Sequence, residues 1–116
     1  MQIKRINPSP RWSDATLFNG IGHFVEVAED ASADIHGQLE QIFSQAEDSL
    51  RTLDSDKSRI LSVTIYLTDF ANFEALNNAW EAWLPEGQAP SRACVKAELV
   101  DPDLLVEIAF VVAANR

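Results

Sequence analysis

The chain has 116 residues, enough for one domain and too few for two separate cores. Hydrophobic residues make up 47% and charged residues 23%, a balance that excludes a disordered chain. Nine Lys and Arg stand against eighteen Asp and Glu, and the net charge of −9 argues against nucleic-acid binding, because such a field repels a phosphate backbone.

A short opening strand is broken by Asn7-Pro8-Ser9-Pro10, where two prolines remove donors and fix φ. Ala15 to Phe18 and Ile21 to Val27 flank Asn19-Gly20, a dipeptide suited to the positive φ angles of a tight hairpin. Ser32 or Asp34 then caps a helix that runs to about Leu53. Its apolar positions Ile35, Leu39, Ile42, Phe43, Ala46, Leu50 and Leu53 recur at steps of three and four, and Glu40, Glu47, Asp48 and Arg51 form a solvated face. Ile60 to Leu67 alternates as a half-buried strand does. Asp69 caps a second helix, Phe70 to Trp83, with Phe73, Leu76, Trp80 and Trp83 on one stripe; Pro85 and Gly87 end it.

Two more strands close the chain, Ser91 to Leu99 and Leu104 to Ala113, with Asp101-Pro102 as the turn between them. A hairpin at that turn sets Lys96 opposite Glu107 and Cys94 opposite Ala109. Arg92, Cys94, Lys96 and Glu107 would then share one face. The element order predicts a single α+β domain, residues 1–116, with two helices on one side of a sheet.

Charge on that face needs a reason, because a carboxylate within Leu104 to Val112 must be paired, hydrogen-bonded or exposed in a cleft. Two readings stand. Glu107 forms a structural ion pair with Lys96 or Arg92, or the face is a small anionic-ligand site. In the second, Arg92 grips a carboxylate and Glu107 positions a water. Cys94 is the only cysteine, so no intramolecular disulfide forms, and a free thiol suits a reducing compartment. It reads as a small apolar filler rather than a nucleophile. His23 and His36, the only histidines, have no metal-site spacing, and the four glycines form no phosphate loop. Trp12 is the candidate for an exposed wall, and Asn77, close to the apolar stripe, for a cleft amide. No apolar run is long enough to span a membrane, the amphipathic segments lack a basic face, and the basic N-terminus lacks the apolar stretch of a signal peptide. The expectation is a cytoplasmic protein.

Ala89-Pro90-Ser91-Arg92-Ala93-Cys94-Val95, followed by Val106-Glu107-Ile108, resembles the C-terminal signature of the YjgF/Rid family of imine deaminases. Asp69-Phe70-Ala71-Asn72-Phe73-Glu74-Ala75-Leu76-Asn77-Asn78-Ala79-Trp80 resembles that family's second-helix motif. The resemblance implies a chorismate-mutase-like sheet of about six strands with two helices on one face, assembled as a homotrimer with clefts between subunits. It also implies hydrolysis of short 2-imino acids, iminopropanoate or iminobutanoate, to 2-keto acids and ammonia without a cofactor. Arg92 would bind the substrate carboxylate, Glu107 would hold the attacking water, and Cys94 and Asn77 would line the pocket. Val25-Glu26-Val27 stands where the family's Ser-Gly-Gln-like segment is usual, which puts Glu26 near the expected anion; Trp12 stands where a tyrosine is common. That departure favours the alternative of a non-catalytic homologue that binds small carboxylates or keto acids. A regulatory or protein-protecting role would then take the place of turnover. Ribonuclease activity is disfavoured by the charge.

Overall fold

The computed structural model describes residues 2–114. Six strands form one mixed sheet: β1 (Lys4–Ile6), β2 (Ala15–Phe18), β3 (Ile21–Val27), β4 (Ile60–Leu67), β5 (Ser91–Lys96) and β6 (Val106–Ala113). Two helices cover one face, α1 (Ile35–Thr52) between β3 and β4 and α2 (Phe73–Trp83) between β4 and β5. The predicted fold class is correct in layers, strand number and helix placement.

Local chemistry sets the boundaries. Asn19 and Gly20 take φ of 53° and 78°, the positive pair that a two-residue hairpin between β2 and β3 requires. Asp34 caps α1 by accepting from the Gly37 N–H at 2.9 Å. The second helix starts later than its stripe suggests, because Asp69 caps a 3-10 turn over Phe70–Asn72 before α2 begins.

The core lies between sheet and helices. Leu39, Ile42, Ala46 and Leu50 of α1 meet Val63, Ile65, Ile108 and Phe110 of the central strands, all at most 3% exposed. Phe24 stacks on Phe110 with ring centroids 4.8 Å apart, and Phe43 stacks on Trp83 at 4.5 Å, which joins α1 to α2. The other face of the sheet carries no layer among the described residues. Val25 and Val95 stand 56% and 42% exposed there.

Strand order departs from the expectation at one point. The order is β1-β2-β3-β6-β4-β5, so the predicted terminal hairpin does not form and β4 separates β5 from β6. Cys94 pairs with Ile65 and Lys96 with Leu67 in parallel register, while Glu107 pairs with Tyr66 and Val27. The reason is the crossover. A strand–helix–strand unit returns its second strand parallel to the first, and α2 places β5 parallel to β4 and directly beside it. Strand β6, nearly all apolar, takes the central place with a partner on each side. Among the described residues, no helix is long and apolar enough to cross a membrane.

Candidate functional site

The singled-out residues divide into two groups, one on each face of the sheet. Arg92 and Cys94 pair with the core residues Val63 and Ile65, so both turn toward the helices. Arg92 Nη2 donates to Asn77 Oδ1 at 2.7 Å, and its guanidinium lies 5.7 Å from the Phe73 ring centroid and 6.0 Å from that of Trp80. No carboxylate among the described residues forms an ion pair with it. Arg92 is thus oriented by a neutral amide and two rings, with donors left for an anion. The shared face and the Glu107 ion pair with Lys96 or Arg92 are therefore both incorrect for a single chain.

Cys94 is half-buried beside Arg92 and packs against the core. Burial pushes its thiol up from the ordinary value, against the downward pull of Arg92. That direction is opposite to the lowered pKa of an activated nucleophilic cysteine.

Glu107 lies on the uncovered face, between Val27 and Tyr66. It shares a hollow of roughly 990 Å³ with Trp12 and Val25. Trp12 is 68% exposed on the loop before β2, where Ser9 accepts from and donates to its backbone and Asn7 donates to Asp14. This hollow follows the outer edge of β3. Strand β2 stops opposite His23 and leaves the edge at Phe24–Val27 without a strand partner.

Glu26 reaches the same hollow from the helix side. Its carboxylate accepts from Ser49 Oγ at 2.8 Å and Gln45 Nε2 at 3.2 Å. It therefore points to α1 and not to the face that carries Glu107. Burial raises its pKa most; the two hydrogen bonds offset part of that, and Asp14 and Asp48 add to it.

Three glutamines of α1 were invisible as site-shaping residues in the sequence. Gln45 accepts from the Glu29 N–H and donates to the Val27 carbonyl; Gln41 accepts from the Asp30 N–H and donates to its carbonyl. Gln38, fully buried, donates to the carbonyls of Ala31, Ala33 and Asp103 and accepts from the Leu105 N–H. The amides stand in for the missing strand and fasten the segment that follows β3. A polar residue at position 38, one helical turn from Ile35 and Ile42 in the apolar stripe, was the available signal. Phe73, half of the aromatic setting of Arg92, was assigned only to the stripe. Among the described residues, no group of three His, Cys, Asp or Glu side chains is placed to hold a metal ion.

Comparison with known proteins decides the family. Residues 3–114 match the family model described as Endoribonuclease L-PSP. The RutC family protein YoaB of Escherichia coli strain K12 is 40% identical over 113 residues, 97% of this chain and 99% of that protein. The chain belongs to the YjgF/Rid family. A RutC family protein of Haemophilus ducreyi is 38% identical over 115 residues, 98% of each chain. The crystal structure of NMB1025, a YjgF family member from Neisseria meningitidis, superposes with a TM-score of 0.92 at 32% identity, covering 100% of this chain and 98% of that one.

Proposed function

We propose that this protein hydrolyses short 2-imino acids to 2-keto acids and ammonia in a cleft between copies of a homotrimer. The observation that carries the reading is Arg92: a guanidinium held by Asn77 and two aromatic rings, with no acid among the described residues in an ion pair with it. Such a group suits the carboxylate of a small 2-imino acid. Glu107 accepts a proton from the water that adds to the imine carbon and passes it to the imine nitrogen, which gives the neutral hemiaminal. The hemiaminal hydroxyl then gives its proton, by way of the same carboxylate, to the amine, so that the carbonyl forms as neutral ammonia leaves and Glu107 is again ionised. Because these imines already react with water, orientation and one placed water are sufficient catalysis.

Arg92 and Glu107 stand on opposite faces of the sheet, so convergence requires a second copy. The uncovered face supports that assembly, since Val25 and Val95 expose apolar surface there near Glu107 and Phe18 does so toward the other end of the strands. Trp12 and Glu107 of one subunit then close over Arg92, Cys94 and Asn77 of the next. Glu26, tied to α1, directs its charge away from Glu107.

The test generates 2-iminobutanoate in situ with an amino-acid oxidase and follows its loss as reduced trapping by semicarbazide. The protein should accelerate loss, Arg92→Ala and Glu107→Gln should abolish the acceleration, and light scattering should give three chain masses. Keto-acid binding without turnover would favour the non-catalytic carboxylate-binding alternative. An uncatalysed rate with no binding would reject both.

A further inference from the structure

Lys96 is left over by the reading above. Its partner on β4 is Leu67, a core residue, so Arg92, Cys94 and Lys96 form one row on the helix-bearing side of β5. Strand β5 is the last of the sheet, which leaves this row along an open edge. At about 3.3 Å per residue, the Cα atoms of Arg92 and Lys96 lie about 13 Å apart. Between them stands an uncharged thiol. No acid among the described residues pairs with Lys96. Lys96 itself lines a hollow of roughly 460 Å³ beneath the β5–β6 connection, together with Thr68, Glu98 and Asp101.

We propose that Lys96 receives a second carboxylate, so that the site takes dicarboxylic 2-imino acids of succinate or glutarate length. This inference rests on the role proposed for Arg92. The first carboxylate sits on Arg92, the methylene chain passes over Cys94, and the distal carboxylate ends on Lys96. Glu98 and Asp101 repel a longer acidic chain, which sets an upper limit on length. A chain of net charge −9 repels a dianion in general, so two unpaired cations on one strand face single out the place where one is admitted. A lysine on an edge strand also discourages pairing with other sheets. That simpler role affects aggregation and leaves ligand choice alone.

The experiment measures binding of 2-oxoglutarate and 2-oxobutanoate to the full chain by calorimetry. In parallel it follows turnover of the imines that amino-acid oxidases release from glutamate and from 2-aminobutyrate. The wild type should prefer 2-oxoglutarate by about tenfold or more, Lys96→Met should bring that ratio near one, and Lys96→Arg should restore it. A wild-type ratio near one, or a ratio that Lys96→Met leaves unchanged, overturns the inference. Absence of imine turnover with a Lys96-dependent binding ratio removes the proposed hydrolysis and leaves the second-carboxylate site standing. Turnover of both imines without charge preference does the reverse.

Discussion

Arg92 on the edge strand β5 and Asn77 on α2 are joined by a 2.7 Å hydrogen bond, which fixes a guanidinium between strand and helix. Asn77 is therefore the residue that aims the cation. Asn77→Ala should weaken 2-oxobutanoate binding about tenfold, since a hydrogen bond to a charged group is worth on the order of 1.5 kcal/mol or more. Isothermal titration checks it, with Asn77→Asp as the contrast. That variant retains the hydrogen bond, neutralises the guanidinium, and should bind the acid still less.

Glu26 makes stability depend on pH in a defined direction. Burial chiefly raises its folded pKa above the ordinary carboxylate value of 4.5. Its contribution is fully present below 4.5 and is lost as pH rises through the folded value. Glu26→Gln removes this dependence while retaining an oxygen that can accept from Ser49 or Gln45. The variant should match or exceed the wild type in urea midpoint at pH 8, and its advantage should shrink on acidification toward pH 4.5.

Gln38 is the buried amide on which two loops depend. Gln38→Leu keeps the volume and strands the Leu105 N–H and the Asp103 carbonyl without partners. A loss of about 1–3 kcal/mol in unfolding free energy is expected, the cost of one orphaned group at the half-buried Leu105, since Asp103 is exposed and water can reach it. Chemical denaturation measures it. Hydrogen exchange should also show the Leu105 amide losing protection ahead of the core strands.

Cys94 should behave as a slow thiol. Burial holds it protonated above the ordinary range, so iodoacetamide should label it more slowly than free cysteine between pH 7 and 9. Arg92→Ala removes the opposing pull and should slow the thiol chemistry further at a given pH, provided exposure is unchanged. Mass spectrometry of timed aliquots gives both rates.

Much of the fold is written in local signals. Asn19-Gly20 specifies its hairpin, the stripe from Ile35 to Leu50 its helix, and Ile60 to Leu67 its strand within the observed bounds. The terminal pair failed for a physical reason. Asp101-Pro102 is a genuine turn signal, yet turn chemistry reports only local chain reversal, whereas pairing is decided by which apolar strand must be covered on both edges. The segment from β4 through α2 to β5 already carried the stronger rule of the parallel crossover. Arg92, Asn77 and Glu107 were legible as residue types in suspicious places. Their distribution over two faces was not, since period-two alternation assigns faces only once the partners are known.

The carboxamides of Gln38, Gln41 and Gln45 grip main-chain atoms almost exclusively between Val27 and Leu105. A clasp of that kind is indifferent to the letters it holds. Exposed positions from Ala28 to Ala33 whose side chains take no part, Glu29 above all, can therefore be respelled, by drift or by an engineer, with the path over the sheet unchanged, which makes the lip beside Trp12 a natural place for new preferences to arise.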